Sequence, residues 1–466
     1  MRVMLYAFAL AVTTGLAACA YVARDSRPHE SDAELLHSAV HQLSSVMVYD
    51  IFSPPQASRV YAYATVAAYE ALRPAHPEHR SFAGQLGGLA PLPRPLPNVE
   101  YSYPLASVHA FMSVARQLTF SRARMDSLRS AMDERMRAGL SADVYQRSIA
   151  YGDTVARHVL AWAAQDRFLQ TRGYPKYTVM RSMPGRWVPT PPAYMDAIEA
   201  NWRALRPFVM DSSSQFRPPT PPPFDTSTHS AFFAAVKEVH DVSTHLTDEQ
   251  RAIAAFWDCN PYVMHVQGHA MFATKKITPG GHWMGIVAIA SRDANADMMR
   301  SAEAYARTAV AIADAFISAW DEKYRSNVAR PETMINAYLD ERWEPFLQTP
   351  PFPEYPSGHS VISNAAAVVL TQIYGSPFPF VDSSEVEFGL PARSFPSFEA
   401  AAAEAAISRL YAGIHFRPAI ENGAAEGKAV GALVVQRVVT SDRAAGSPSR
   451  AVAADAAREA AATSLH

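Results

Sequence analysis

Hydrophobic and polar positions follow a helical period along most of the chain from residue 31 onward. Apolar residues recur every three or four positions, which predicts helices over 57–72, 103–118, 122–138, 142–168 and about 294–324. Ser31 and Glu34 stand at capping-box spacing before a first helix. Thr247 and Gln250 do the same before a helix that is predicted to run through Trp257. The predicted fold class is therefore all-α.

Two proline clusters interrupt the helical pattern, at 91–97 and 218–223, and both are typical of extended connectors. We expect an N-terminal helical part over 31–220 and a C-terminal helical part over 221–440, packed as two bundle-like layers. From 441 to 466 the chain is rich in Ala and Ser with little periodic apolar content, which is typical of a frayed tail.

The first residues predict export. Residues 3–18 form an uncharged apolar run after Arg2, shorter than the ~20 residues that a bilayer span needs, so 1–18 is typical of a signal peptide. The run ends in Leu-Ala-Ala before Cys19, which resembles the lipobox of bacterial lipoproteins, where this cysteine is acylated. An ordinary cleavage site with an incidental cysteine is the alternative. We expect a tether over 19–30 and a periplasmic protein, or one held at a bacterial outer membrane by its lipid alone.

Composition narrows the classes of function. With 49% hydrophobic and 18% charged residues, the chain can bury a sizeable core. Lys and Arg total 42 against 44 Asp and Glu, which removes the usual electrostatic argument for a nucleic-acid-binding protein. The two cysteines cannot form a disulfide framework, and we expect no thiolate metal site. With Cys19 acylated, Cys259 is predicted to be a buried, small apolar residue.

Three segments of the C-terminal half carry the cations, imidazoles and backbone donors that a tetrahedral oxyanion requires. In the first, Lys323 and Arg330 are two helical turns apart, so their stems leave one helix face if the helix persists. Pro331 disfavours helix at Arg330, where we expect the helix to end and the guanidinium to turn inward.

The second segment is Pro-Ser-Gly-His at 356–359, directly before an apolar helical stretch. Ser357 is predicted as the N-cap, and Gly358 allows an anion to approach the unpaired N–H groups of a positive helix end. In the third segment His415 follows Arg409 by six positions, which a continuous helix would rotate roughly 240° apart. We expect Gly413 to break the helix between them.

In this order the segments resemble the signature of the type 2 phosphatidic acid phosphatase and vanadium-dependent haloperoxidase superfamily. That signature is Lys, six residues and Arg-Pro, then Pro-Ser-Gly-His, then Ser-Arg, five residues and His. The sequences at 350–355 and 408–415 resemble its soluble haloperoxidase branch. One position departs, because Ala419 replaces the family's acidic residue four positions after the last histidine. The group that orients His415 must then come from elsewhere, either Glu421 or a backbone carbonyl.

The resemblance implies a vanadate-dependent haloperoxidase-like enzyme with its anion site in the core of the C-terminal bundle. Such an enzyme oxidises halide with hydrogen peroxide and so halogenates an organic acceptor. His415 would be the axial ligand of vanadium, and His359 a general acid and base. The residues that would bind the oxygens of the anion are Lys323, Arg330, Ser357, Gly358 and Arg409. Lys323 would also polarise the bound peroxide.

Two other functions stay open from the sequence. A soluble acid phosphatase would bind the phosphate of a phosphomonoester in the same cradle and use His415 as nucleophile, through a phosphohistidine. Ala419 counts against it, because such a nucleophile benefits from an orienting carboxylate. A scaffold that binds the anion without turnover is the third reading, and His415→Ala separates it from an enzyme.

Aromatic residues flank the motif segments. Trp320, one helical turn before Lys323, and Phe352, seven residues before His359, resemble the halide-side wall of chloroperoxidase-type members, and core packing explains them nearly as well. His282, after Pro-Gly-Gly, either lines the entrance of the pocket or lies in a turn.

Other polar residues have weaker interpretations. His265 and His269 are one helical turn apart and could bind a divalent metal, but no acidic third ligand is close in sequence, which favours a structural role. The acidic residues beside the motifs are expected to be exposed charges, namely Asp321, Glu322 and Glu354.

Overall fold

A computed structural model describes residues 31–441, which fold into fourteen α-helices and two short antiparallel hairpins. The N-terminal helices are α1 (Asp32–Tyr49), α2 (Pro54–Leu72), α3 (Tyr103–Leu118), α4 (Arg122–Arg135), α5 (Ala142–Ala163) and α6 (Phe168–Thr171). The C-terminal helices are α7 (Ala231–Thr244), α8 (Asp248–Phe256), α9 (Pro279–Asp293), α10 (Met298–Ser326), α11 (Pro331–Tyr338), α12 (Gly358–Tyr374), α13 (Phe398–Tyr411) and α14 (Arg417–Arg437). The strands are β1 (Val263–Gln267), β2 (Ala270–Thr274), β3 (Phe380–Asp382) and β4 (Arg393–Phe395). The predicted all-α class is confirmed.

Local sequence signals account for most helix ends. α3 has the predicted bounds, and α2 begins three residues earlier than predicted, with Pro54 in its first turn, where a missing N–H does no harm. The Thr247–Gln250 capping box is present at the start of α8. The helices predicted over 122–138 and 142–168 end earlier, at Arg135 and Ala163. Both proline clusters lie outside helices and strands, as expected of connectors.

The prediction that His265 and His269 lie one helical turn apart is wrong. His265 lies in β1 and His269 in the turn to β2, so the two residues do not share a helix face. Gly268 holds that turn with φ +58°. His265 donates or accepts a hydrogen bond to the Thr274 hydroxyl at 2.8 Å across the hairpin. Both histidines are exposed, and neither belongs to a potential metal-binding group of three or more side chains within residues 31–441.

Helix α10 lies at the centre of the core. Its side chains are buried almost without interruption from Met298 to Lys323, and it packs against α2, α9, α12 and α14. One continuous hydrophobic cluster joins helices from both halves of the described chain. The boundary between an N-terminal part at 31–220 and a C-terminal part at 221–440 stays a prediction. The predicted signal peptide (1–18), the tether (19–30) and all but the first residue of the tail (441–466) lie outside the described residues.

Close backbone packing of α14 on α12 fixes the start of α12. A Cβ on Gly427 would lie 2.0 Å from the carbonyl oxygen of Val361, and one on Gly431 would lie 2.7 Å from that of Ala365. These glycines therefore let the two helices touch through their main chains. Among residues 31–441, no helix is both long and apolar enough to cross a membrane.

Candidate active site

The three motif segments converge on one cavity among the C-terminal helices. Six of the predicted site residues line it, namely Trp320, Phe352, Gly358, His359, Arg409 and His415. Three others lie fully buried behind this lining, namely Lys323, Arg330 and Ser357. The structure thus brings together every predicted anion-binding residue.

The chain reaches Arg330 by leaving the helix early. α10 ends at Ser326, and Asn327 follows in the left-handed region with φ 51°. Arg330 then adopts an extended conformation directly before α11, whose first residue is Pro331. The expected end of the helix at Arg330 is therefore four residues too late, and Lys323 and Arg330 do not share a helix face. The guanidinium still turns inward as predicted, because Arg330 is 0% exposed.

The other two segments follow their predictions. Ser357 is the N-cap of α12, and its hydroxyl accepts a hydrogen bond from the Ser360 N–H at 3.4 Å. Its own N–H donates to the carbonyl of Ala419 at 3.0 Å. α13 ends at Tyr411, and Gly413, with φ +77°, turns the chain so that His415 faces the cavity together with Arg409.

Lys323 binds the loop that precedes α12. Its ammonium donates to the carbonyls of Pro353, Glu354 and Pro356 at 3.1, 3.0 and 2.5 Å. Burial, and next the nearby Arg330, hold the pKa of Lys323 well below its usual range. Three carbonyl acceptors require three N–H groups, so these contacts favour the ammonium form despite the lowered pKa, and Lys323 fixes the loop and acts on the cavity through its charge.

The two arginines are also held by main-chain carbonyls. Arg330 donates to Phe352 at 2.8 Å and to Ile414 at 2.9 Å, and burial lowers its pKa to about 10. Arg409 donates to the carbonyl of Trp257 at 2.7 Å. Within residues 31–441 no carboxylate pairs with Lys323 or with either arginine, and Nη2 of Arg330 has no hydrogen-bond partner. Carbonyl dipoles therefore orient the cations without neutralising them.

Glu354 orients His415. Its Oε1 lies 2.9 Å from Nδ1 of His415 and also accepts the Phe416 N–H at 2.9 Å. A guanidinium only donates, so the Nε2 lone pair accepts from Nη1 of Arg330 at 3.1 Å, and the proton of the neutral ring lies on Nδ1, toward Glu354. Burial, and next Arg330, hold the pKa of His415 well below its usual range, so the ring is neutral. Burial raises the pKa of Glu354 to about 7.

This arrangement corrects the predictions for the acidic residues. Glu421 is exposed and lies 3.7 Å from Arg417, so it does not orient His415. Glu354 was expected to be exposed and is 1% exposed. Asp321 and Glu322 are buried too, and both pair with Arg325. The only sequence signal for the role of Glu354 is Ala419. Because the family's acidic residue is absent there, the orienting group must come from another segment.

His359 faces the cavity as a neutral base. Its Nε2 has no hydrogen-bond partner in the described part of the chain. Burial, and next the charge of Arg409, hold its pKa well below the usual range, while the backbone of Trp257 opposes this. The Trp257 main chain, which sequence reasoning missed, therefore contacts both Arg409 and His359.

The aromatic wall is present, but His282 is not part of it. Trp320 and Phe352 both line the cavity, with ring centroids 5.0 Å apart. His282 lies within α9, is 0% exposed and does not line the cavity. Both readings of it, as an entrance residue and as a turn residue, are wrong. Its ring is instead paired with Asp382 and Glu385.

Comparisons with known proteins agree with this geometry. A family model described as the VCPO second helical-bundle domain matches residues 303–441. A crystal structure described as that of the first bacterial vanadium-dependent iodoperoxidase is 49% identical, with 88% of this chain and 97% of that chain covered and a TM-score of 0.84. The chain belongs to the vanadium-dependent haloperoxidases. The predicted haloperoxidase function, a peroxidase oxidoreductase activity, is thereby confirmed.

More distant structures share the fold of this haloperoxidase. The holo form of a bacterial vanadium-dependent chloroperoxidase is 19% identical, covers 89% of this chain and 98% of its own, and has a TM-score of 0.67. The apo form of a bacterial chloroperoxidase is 20% identical, covers 81% and 92%, and has a TM-score of 0.63. None of the curated proteins compared with the chain matched it.

The residues of this haloperoxidase fit an oxyanion such as vanadate. Nη2 of Arg330, Nε2 of His359 and Oγ of Ser360 are buried without hydrogen-bond partners among the described residues. Such atoms are costly to bury unless a ligand pairs with them. The donor set is cationic or neutral, and planar guanidinium groups suit the oxygens of a tetrahedral or trigonal-bipyramidal anion.

Proposed function

We propose that this haloperoxidase binds vanadate at His415 and uses hydrogen peroxide to oxidise halide, with iodide as its preferred halide. The observation that carries the proposal is a neutral imidazole, oriented by Glu354 at a cavity where no carboxylate pairs with the cations. Its Nε2 lone pair accepts a hydrogen bond from Arg330, and on vanadate binding the guanidinium would release Nε2 and donate to the oxyanion instead. A neutral imidazole nitrogen is the form that binds metals.

Different residues of the site have different roles in the reaction. Bound vanadate supplies a Lewis-acidic centre that activates hydrogen peroxide without changing its own oxidation state. Arg330 and Arg409 stabilise the negative charge on its oxygens, together with the hydroxyl of Ser357 and the N–H of Gly358. His359, neutral and with a free Nε2, takes a proton from incoming peroxide and returns it to the leaving oxygen.

The weak hydration of iodide and the identity of one relative support iodide, whereas the aromatic wall resembles that of chloroperoxidase-type members. Trp320 and Phe352 present aromatic carbon on one side, and Lys323 lies 5.1 Å from the centre of the Phe352 ring behind them. A large, weakly hydrated halide loses less hydration energy on such a wall than chloride does. The 49% identical protein is itself described as an iodoperoxidase.

The test is a paired assay on one purified sample reconstituted with vanadate. Oxidation of iodide, bromide and chloride is measured with peroxide, beside hydrolysis of nitrophenyl phosphate by the vanadate-free form. We expect the largest kcat/KM for iodide, and a loss of at least about 10³-fold in His415→Ala, the scale seen when a nucleophile or its base is removed. Equal or faster bromide turnover contradicts the preference. Phosphate hydrolysis without halide oxidation contradicts the proposal as a whole.

We infer that the protein is exported and acylated at Cys19. The apolar run at 3–18 followed by Leu-Ala-Ala-Cys supports this. Mass spectrometry of the mature N-terminus tests it. A diacylglyceryl-modified Cys19 is the expected result, and an unmodified terminus at another residue contradicts it.

A further inference from the structure

A second cluster of buried polar side chains lies directly beside the cavity. Cys259 follows α8, His282 lies in α9, and Glu385 lies in the turn after β3. Their donor atoms lie within 4.8 Å of one another, and all three residues are buried. Sγ of Cys259 is 3.4 Å from Nδ1 of His282, and that nitrogen is 3.0 Å from Oε1 of Glu385. The haloperoxidase reaction uses none of these groups.

Asp382 sets the direction of the His282 ring. Its Oδ2 lies 2.8 Å from Nε2 of His282, and its other oxygen accepts hydrogen bonds from the N–H and the hydroxyl of Ser384. With Nε2 directed at the Asp382 carboxylate, Nδ1 is the ring nitrogen that faces Cys259 and Glu385, and a metal ion would displace the proton that Nδ1 carries there. Metal-binding histidines are oriented by a carboxylate in this way.

The three donor atoms lie close enough together for one ion to bind them all. Oε1 of Glu385 is close to Nδ1 of His282, yet it makes no hydrogen bond of acceptable geometry to any described residue. A buried carboxylate oxygen without a hydrogen bond is destabilising. An ion between the donors would satisfy this oxygen, the ring nitrogen and the sulfur at once.

We propose that Cys259, His282 and Glu385 bind a zinc ion. A thiolate, an imidazole and a carboxylate together favour Zn²⁺ over Mg²⁺ or Ca²⁺, which prefer oxygen ligands alone. Three protein ligands leave the fourth position of a tetrahedral ion to a water molecule. Binding releases protons, because the ligands must be thiolate and neutral imidazole. The proposal departs from the expectation, drawn from the two cysteines of the sequence, that there is no thiolate metal site.

The zinc site would position part of the anion cradle. The Trp257 ring stacks on His282 with centroids 4.5 Å apart and planes 15° apart. The Trp257 carbonyl holds Arg409, and Cys259 itself lines the cavity. A metal that fixes Cys259 therefore fixes the segment on which Arg409 depends. This consequence rests on the proposed vanadate site, whereas zinc binding itself does not.

The experiment measures zinc and vanadium separately in the full-length chain. The protein is stripped with a chelator, reloaded with Zn²⁺ and dialysed, and both elements are counted by mass spectrometry. We expect about one zinc per chain in the wild type and little in Cys259→Ser or Glu385→Gln. In Asp382→Asn we expect zinc affinity about 10- to 100-fold weaker. The double variant His265→Ala/His269→Ala, on the exposed hairpin, is the matched control and should retain zinc.

Two further readouts do not depend on activity. Zn²⁺ should raise the unfolding temperature of the wild type and leave that of Cys259→Ser unchanged, and both stripped proteins should unfold cooperatively. Co²⁺ in place of zinc should give a thiolate-to-cobalt absorption band that Cys259→Ser lacks. Absence of retained zinc and of any thermal shift in the wild type overturns the proposal. So does zinc that persists in Cys259→Ser and Glu385→Gln, or that is lost in the hairpin control.

Discussion

Arg59 and Arg330 are both buried, but the two regions around them compensate the charge in opposite ways. Arg59 in α2 donates to Asp166 at 2.5 Å, and the Tyr63 hydroxyl donates to the same carboxylate at 3.0 Å. Arg330 has main-chain carbonyls and the His415 ring as partners, and no carboxylate. The first arginine completes an ion pair within the fold, whereas the second is positioned for a charge that comes from outside.

Two buried histidines, His109 and His415, differ in the same way in how carboxylates compensate their charge. His109 in α3 lies 2.9 Å from Asp133 and 3.0 Å from Asp153. Burial lowers its pKa, but hydrogen bonds to the two carboxylates outweigh this and raise the pKa to about 9. His415 has one carboxylate neighbour, Glu354, and lies beside three cations, so it stays neutral. In both comparisons the residue outside the cavity has its charge compensated by carboxylates, and the residue at the cavity does not.

The sharpest test of the contrast removes each arginine in turn. Arg59→Met leaves Asp166 buried without its cation, and we expect the free energy of unfolding to fall by about 3–5 kcal/mol. Arg330→Met breaks no direct ion pair, and Lys323 remains near the buried Glu354, so the vanadate-free protein should lose less than about 2 kcal/mol. Its halide oxidation should fall about 10²- to 10³-fold, the scale of one lost oxyanion donor. Urea unfolding and the peroxidase assay measure the two effects.

Arg59→Met protein that stays folded serves as the control and should keep most of the wild-type kcat. Equal losses of stability in the two variants would mean that the cations of the cavity are structural.

The second prediction concerns the anion that would compensate the cations of the cavity. Orthovanadate at about 100 times its Kd should raise the free energy of unfolding of the wild type by about 2.7 kcal/mol, because it binds only the folded state. Arg59→Met should show the same increment from a lower starting stability, and Arg330→Met should show much less. An increment that survives in Arg330→Met would place the anion elsewhere.

The third prediction tests the carboxylate of the binding region. Glu354→Gln keeps the shape but removes the negative charge that holds Nδ1–H of His415, so vanadate affinity should fall about 10- to 100-fold. Equilibrium dialysis with orthovanadate measures the affinity. Glu421→Gln, the carboxylate suggested by the sequence, should bind like the wild type. The reverse result would restore Glu421 as the orienting residue.

The convergence of the motif residues on one cavity was predictable from the sequence because the motif spacings resemble a family signature, and the N-cap at Ser357 and the break at Gly413 are local signals. The burial of Glu354 was not, because its loop has no period. Its position depends on contacts distant in sequence, since its N–H donates to Val328 at 2.9 Å and Lys323 binds its carbonyl.

His282 shows how a local signal can mislead. Pro-Gly-Gly before it is typical of a turn, yet Thr278 caps a helix that begins at Pro279. Gly281 serves packing instead, because a Cβ there would lie 2.7 Å from Ile277 and 2.9 Å from the Tyr61 hydroxyl of α2. A contact between helices that are far apart in sequence leaves no periodic trace.

The smallest expected effect is a pH dependence of stability. Glu426 is buried in α14 and accepts a hydrogen bond from Ser318 at 2.6 Å, and burial raises its pKa to about 8. The folded state therefore holds a proton that the unfolded chain releases above about pH 4.5, and this group lowers stability progressively between about pH 4.5 and pH 8.

Glu426→Gln removes this pH dependence of the free energy of unfolding. The variant should match the wild type near pH 4.5 and exceed its free energy of unfolding by about 1–3 kcal/mol at pH 8, as urea unfolding at both pH values measures. Glu421→Gln, an exposed position on the same helix, should show a difference that stays flat with pH. A flat difference for Glu426→Gln as well would mean that Lys323 and its neighbours already compensate Glu426, so that the binding region would carry less uncompensated charge than Arg330 and His415 indicate.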